Sequence, residues 1–300
     1  MDKPIATISI LLAFLVGASL GMRYFGEEPI LVSEKTPEEE NINFESVLIG
    51  EIPSPGSGAS IAGDTEPQTA VAAGAYTLSG KNILGWNLQK RWPIASITKL
   101  MSAHIASLVM DKAEVVTISQ TAVDTIGDSG GLRVGEAFQV MDLLKAMLLV
   151  SSNDAAAAIA EHYGNEEFIT LMNQTAEEVG MGNTRFVEPT GLSPQNQSTV
   201  EDLVRFANYI WQNDRQLLEI SRRSTDYIVD INTGLTRQLV SINAFAGRAD
   251  FLGGKTGSIP ASDDNLLSVF SVPDRKEPVV VVVFGSQDRF GETAKILSDL

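Results

Sequence analysis

Apolar and polar positions divide the chain into three stretches. Residues 5–22, between Lys3 and Arg23, are almost uninterruptedly apolar. That length suits a helix crossing a bilayer, which takes ~17–25 residues, and exceeds the ~7–15-residue core of a cleaved signal peptide. Residues 1–23 are therefore expected to be a membrane anchor; Gly17, Ala18 and Ser19 keep a cleaved signal as the alternative. Over residues 24–68 the apolar pattern disappears. Glu38-Glu39-Glu40 and Pro53-Ser54-Pro55-Gly56-Ser57-Gly58 typify a stretch too poor in apolar surface to offset the entropy of ordering. An acidic flexible linker is expected there. Periodicity returns near Thr69, and residues 69–300 are expected to form the folded domain.

Within that domain, residues 72–78 and 82–88 about Ser79-Gly80-Lys81 predict a hairpin. A helix is expected to begin near Ala95, with Leu100, Met101, His104, Ile105 and Leu108 on a helical repeat. Helical patterns recur at 140–150, 153–162, 166–179 and 199–213. The last quarter turns to strands at 254–258, 266–271 and 279–284 and closes on a helix over 292–300. Strands at both ends with helices between imply one sheet assembled from distant segments and flanked by helices, an α/β chain of the α+β type.

Composition then narrows the function. A chain of 300 residues, 44% hydrophobic, can build a sizeable core. Its net charge of -16 opposes binding to nucleic acid, whose phosphates need clustered Lys and Arg. With no cysteine there is neither a thiol nucleophile nor a disulfide framework. The two histidines, His104 and His162, do not form the HExxH pair of a zinc peptidase. No metal or other cofactor is expected.

Three short clusters stand in order: Ser96-Ile97-Thr98-Lys99, Ser151-Ser152-Asn153 and Lys255-Thr256-Gly257. Singly, each has an ordinary structural explanation: an N-cap serine with an exposed lysine, a second helix cap, a glycine turn. Together they supply a serine acyl-transfer site that needs no histidine. Serine attacks only when a base takes its proton, and residues three apart share a helix face, so Lys99 can reach Ser96. Lysine serves as a base only if its pKa falls; burial and a second nearby cation, for which Lys255 is the candidate, would both push it down. At a helix start the Ser96 N–H would also face a developing oxyanion. Ser151 is the candidate proton relay and Asn153 the candidate amide for the substrate backbone. Lys255 and Thr256 set a cation and a hydroxyl beside a substrate carboxylate, with Gly257 allowing the substrate chain to approach. Gly127-Asp128-Ser129-Gly130-Gly131 spells the nucleophile signature of chymotrypsin-type proteases. The one upstream histidine, His104, sits in a predicted helix, so the segment reads as a loop bordering the site.

With these clusters in place, residues 70–300 resemble the D-alanyl-D-alanine carboxypeptidase family, the low-molecular-mass penicillin-binding proteins. The likeness extends to Pro93-Ile94-Ala95-Ser96-Ile97-Thr98-Lys99-Leu100-Met101, Leu132-Arg133-Val134-Gly135-Glu136, Asn153-Asp154-Ala155-Ala156 and Glu188-Pro189-Thr190-Gly191-Leu192-Ser193. The resemblance implies a serine β-lactamase-like fold, an antiparallel sheet of terminal strands with an inserted helical subdomain. It implies that Ser96 is the acyl-forming nucleophile, Lys99 its base and Ser151 a relay. Asn153 would bind the peptide, while Lys255 and Thr256, assisted by Arg289, would engage the terminal D-alanine carboxylate. The backbone N–H groups of Ser96 and Ser258 would form the oxyanion hole. The implied substrates are stem peptides of bacterial peptidoglycan, with β-lactams as inhibitors that acylate Ser96. The implied location is the outer face of the bacterial cytoplasmic membrane, or secretion if the first segment is cleaved. The sequence departs from the family after Gly257, where Ile259 and Ala261-Ser262-Asp263-Asp264 replace the usual threonine and Ala-Gly. It shows no counterpart of the carboxyl-terminal β-rich domain of some members, which leaves membrane attachment to the amino terminus.

Three readings compete with a carboxypeptidase. A DD-endopeptidase cutting cross-links differs only in the group that leaves after acylation, and residues 188–193 resemble members of that kind. A class A β-lactamase needs a glutamate to activate the deacylating water, for which Glu188 is the candidate. A catalytically idle wall-binding or sensor module of the same fold would not need all three clusters intact.

Overall fold

The valine run at 279–283 has no polar side to turn to water, so it belongs at the centre of a sheet covered on both faces. A computed structural model describes residues 69–127 and 130–300, and there the run lies on the middle strand of a five-stranded antiparallel sheet. The expected anchor, residues 1–23, and linker, residues 24–68, lie outside the described residues.

In chain order, β1 (Ala72–Thr77) and β2 (Asn82–Trp86) form the expected hairpin. After the short β3 (Trp92–Pro93), a 3-10 turn at Ala95–Ile97 runs straight into α1 (Thr98–Val109). Next come β4 (Val115–Thr117), the single turn α2 (Gln120–Val123) and β5 (Ala137–Gln139). Three helices follow: α3 (Val140–Leu149), α4 (Asn153–Tyr163) and α5 (Asn165–Glu178). A short β6 (Gln197–Ser198), which pairs with β3, precedes α6 (Val200–Asn213) and α7 (Arg215–Ser221). The hairpin β7 (Thr225–Val229) and β8 (Thr236–Val240) leads to β9 (Phe251–Ile259), β10 (Asp263–Phe270) and β11 (Val279–Ser286). Helix α8 (Arg289–Ser298) ends the chain.

The sheet order is β2-β1-β11-β10-β9, with every neighbour antiparallel. All of β11 is buried, and its side chains alternate between two cores. Val280, Val282 and Phe284 join Leu267 and Val269 against a helical core that includes Leu100, Leu143, Ile159 and Phe206. Val279, Val281 and Val283 join Leu266 and Phe270 against Phe245, Phe251 and Ile296. The architecture is the one the pattern implied, a sheet of terminal strands with helices between. Both histidines belong to the scaffold. His104 is buried on α1, 3.1 Å from the Asp214 carboxylate and edge-on to Phe206 and Tyr209, and His162 pairs with Glu114 in a partly exposed position. No helix among the described residues is long and apolar enough to cross a membrane.

Because β11 is covered on both sides, neither face tolerates a lost methyl group. Val281→Ala and Val282→Ala, one on each face, should each cost ~1–3 kcal/mol in denaturant unfolding. A sheet with one solvated face would show that loss for only one of the pair.

Candidate active site

Ser96 sits in the 3-10 turn where the chain reverses into α1. Ala95 before it has φ +50°, a left-handed conformation unusual for a residue with a side chain. The turn holds this shape because it is clamped. Ile94 N–H donates to the Asn196 carbonyl at 3.0 Å. A Cβ at Gly191 would lie 2.0 Å from the Ala95 carbonyl oxygen, and one at Gly257 would lie 2.5 Å from that of Ile94. Both positions must therefore be glycine for the 188–196 loop and β9 to close on the turn. Gly257, expected to admit the substrate chain, has a nearer task in admitting the turn that carries Ser96.

Lys99, one helical turn on, is completely buried. Its ammonium donates to Ser96 Oγ at 2.9 Å, to Asn153 Oδ1 at 2.5 Å and to the Thr190 carbonyl at 2.5 Å. Burial brings its pKa down to about 7, against partial compensation by the carboxylates of Glu188 and Asp154. Three acceptors match the three N–H bonds of the charged form. Loss of one proton leaves a lone pair that can face the Ser96 hydroxyl, with Asn153 and Thr190 orienting the rest.

The second cluster divides its labour. Ser152 takes the capping role, accepting from Ala155 N–H at 3.2 Å to start α4. Ser151, at φ +61°, is left to face the site, where its hydroxyl accepts from Lys255 Nζ at 2.9 Å. Asn153 donates from Nδ2 to the Ile126 carbonyl at 2.6 Å, so its amide ties Lys99 to the loop ahead of it. Asp128 and Ser129 of the protease-like motif lie outside the described residues. Gly127 and Gly130 on either side pack against the side chains of Asn153 and Ser152, so this loop borders the cluster.

Lys255 is buried on β9, and its ammonium also reaches the Thr256 carbonyl at 2.8 Å. Burial holds its pKa well below the ordinary lysine value, and the charges of Lys99 and Arg289 add to the effect. For Lys99 burial lowers the pKa, as expected, without the added contribution expected from the second cation. Arg289, at the start of α8, donates to the Gly257 carbonyl at 3.0 Å and stands 3.3 Å from the Asp264 carboxylate. Thr256 is buried beside Lys255, and Ser258 is exposed at the outer end of the strand. Every candidate residue thus lies on or beside one short groove between β9, the 3-10 turn and the start of α4.

Glu188 was expected only as a rival deacylating base. Its carboxylate instead accepts from Thr190 N–H and hydroxyl, Gly191 N–H, Ser193 N–H and Asn196 Nδ2. Asn196, fully buried, extends the latch to the Thr98 hydroxyl at 3.1 Å. These two residues hold the Thr190 carbonyl against Lys99. The cue in the sequence was a carboxylate followed by Pro-Thr-Gly, a run that favours side-chain-to-backbone turns.

Comparison with known proteins bears on the family and the fold. The model of the D-alanyl-D-alanine carboxypeptidase family matches residues 62–288. A D-alanyl-D-alanine endopeptidase of Escherichia coli is 46% identical over 118 residues, 38% of this chain and 38% of that protein. The D-alanyl-D-alanine carboxypeptidase DacF of Bacillus subtilis is 31% identical over 173 residues, 55% of this chain and 44% of that one. The matched stretches therefore span less than half the length of either relative. The crystal structure of a Streptomyces DD-transpeptidase superposes with a TM-score of 0.70 at 25% identity, covering 78% of this chain and 98% of that one. With a family model matched across most of its length, the chain belongs to the D-alanyl-D-alanine carboxypeptidase family.

Proposed function

We propose that this protein is a serine DD-peptidase that removes the terminal D-alanine from peptidoglycan stem peptides through an acyl-enzyme on Ser96. The observation that supports it most is the buried Lys99 ammonium, 2.9 Å from Ser96 Oγ and poised near pH 7. In its neutral form Lys99 Nζ takes the Ser96 proton as Oγ attacks the carbonyl carbon of the penultimate D-alanine. The N–H groups of Ser96 and Ser258 stabilise the oxyanion. The leaving amine takes a proton from Ser151, which Lys255 Nζ replaces along their hydrogen bond, and departs as D-alanine. Water then attacks the ester carbonyl, its proton passing through Ser151 to Lys255, and Lys99 returns the first proton to Ser96 Oγ as the ester bond breaks. Lys255, Thr256 and Arg289 supply the positive end that a substrate carboxylate requires, and Asn153 retains a second N–H for the peptide backbone. A β-lactam would acylate Ser96 in the same way, with its leaving nitrogen still tethered.

A β-lactamase reading loses support from Glu188. A carboxylate already accepting from five donors has little capacity left to take a proton from water. The endopeptidase reading is favoured by one specific observation, that the Escherichia coli relative at 46% identity bears that name. We further propose that residues 1–23 anchor the chain in the bacterial envelope, that 24–68 tether it, and that 69–300 carry the activity.

Fluorescent penicillin should label the wild type covalently and fail on Ser96→Ala. Lys99→Ala should slow labelling by ~10²–10⁴-fold, the range of general-base assistance. Since the base must be unprotonated, the wild-type labelling rate should climb as pH rises through about 7 and level off above it. Stopped-flow labelling across that window checks the sign; a rate that falls with rising pH would remove Lys99 as base.

Purified muropeptides separate the two peptidase readings. Release of D-alanine from monomeric pentapeptides is the expected outcome, measured by mass spectrometry of the products. Conversion of cross-linked dimers to monomers without D-alanine release would favour the endopeptidase.

Removal of residues 1–23 should yield a protein that stays in the supernatant after high-speed centrifugation and still binds penicillin. Loss of labelling in that variant would place the apolar segment in the fold.

A further inference from the structure

The two cations beside β9 are not equivalent. Lys255 Nζ is met by the Ser151 hydroxyl and the Thr256 carbonyl, and among the described residues no carboxylate pairs with it. Arg289, whose side chain is 15% exposed, already has a counter-ion in Asp264, 3.3 Å from its Nη1. The same Nη1 donates to the Gly257 carbonyl at 3.0 Å, while the buried Nε has no partner among the described residues. Asp264 belongs to the stretch after Gly257 that departs from the family pattern. It lies directly across the ladder from Ser258, and residues so paired share a face with Cβ atoms ~5 Å apart. Its carboxylate thus flanks the strand end that the proposed chemistry gives to the substrate.

Carboxylates that serve the scaffold here are fastened by backbone donors. Glu188 accepts from Thr190 and Gly191 N–H, and Asp230 from Ala137 and Asn232 N–H. Among the described residues the Asp264 carboxylate, 35% exposed, has no partner but Arg289. What it does is electrostatic. Burial pushes the Arg289 pKa down, and the charge of Asp264 works against that. A half-buried guanidinium is costly without an anion, and Asp264 supplies one permanently. A substrate carboxylate arriving at Arg289 therefore exchanges one ion pair for another, and only the surplus contributes to binding.

We propose that Asp264 is a specificity-determining residue that occupies Arg289 before substrate arrives and so lowers the dependence of the enzyme on a free carboxylate at the leaving residue. The proposal rests on the peptidase reading above. A leaving residue whose carboxyl is blocked as an amide loses less in this site than it would beside an arginine with no counter-ion.

Nα,Nε-diacetyl-L-Lys-D-Ala-D-Ala and its C-terminal amide test it. For each, kcat/KM is measured from release of D-alanine or D-alaninamide, with competition against fluorescent-penicillin labelling in parallel. The readout is the acid-to-amide ratio, in which general damage to the site cancels. Asp264→Asn, with its unfolding temperature checked, should raise that ratio about fivefold through KM, the scale of one partly exposed ion pair. Asp264→Glu keeps the charge and should hold the ratio near its wild-type value. In an Arg289→Gln background, Asp264→Asn should leave the ratio within about twofold, since residues that act through each other are not additive. A ratio that stays level or falls in Asp264→Asn, or that rises equally without Arg289, overturns the role of Asp264 and leaves the peptidase reading intact. Penicillin labelling with neither cleavage of, nor competition by, either peptide overturns both.

Discussion

The groove is organised around the burial of one amine. Taking the Lys99 ammonium out of water brings its pKa down from 10.5 to about 7, net of what the Glu188 and Asp154 carboxylates return. Three acceptors satisfy the charged form, and a pKa of about 7 leaves both states populated near neutral pH. Each acceptor comes from a different element: the 3-10 turn, α4 and the 188–196 loop. The lysine thus sets how these three pieces meet, and the rest of the fold keeps them there. Glu188 and Asn196 fix the Thr190 carbonyl, the 126–127 loop fixes Asn153, and two glycines allow β9 and the loop to press on the turn.

Positive charge is concentrated here for a second purpose. Lys255 and Arg289 are held beside β9 without a carboxylate that neutralises both, since Asp264 stands 3.3 Å from Arg289 alone. Burial, and after it repulsion from Lys99 and Arg289, holds the Lys255 pKa well below the ordinary lysine value. This clustering also leaves the strand edge with a net demand for an anion. On the proposed reading a substrate carboxylate would relieve that demand, which would couple recognition of the chain end to the electrostatics of the base.

Much of this was legible in the sequence, for identifiable reasons. The valine run at 279–283 has one place to go, and Ser96 and Lys99 are local enough for helix spacing to bring them together. The hairpin β7–β8 was not legible. Its buried Ile228 and Leu239 alternate with exposed Tyr227, Val229 and Val240, so apolar residues occupy both faces and the period-two signal is lost. Helix α7 is too short to show a period, and α1 starts later than expected because the 3-10 turn carries helix-like residues. The Thr190 carbonyl and the Ile126 carbonyl escaped notice for another reason. They act through backbone atoms, which side-chain identity does not mark.

The order of strands in the sheet bears on how such a protein comes into being. Strand β1 is among the first folded segments to emerge, yet its partner β11 is nearly the last, and β9 reaches β1 only through β10 and β11. The contacts that define the groove span similar separations, with Lys99 and Thr190 joined across 91 residues and Lys255 and Ser151 across 104. Pairing of this kind carries a large loop-closure entropy and forms late. The helices between can gather early around Leu100, Leu143 and Ile159, but Lys255 joins Ser151 only after β9 has formed. A chain lacking its last strands therefore lacks the Lys255 side of the groove, and the site is complete only once segments far apart in the sequence have paired.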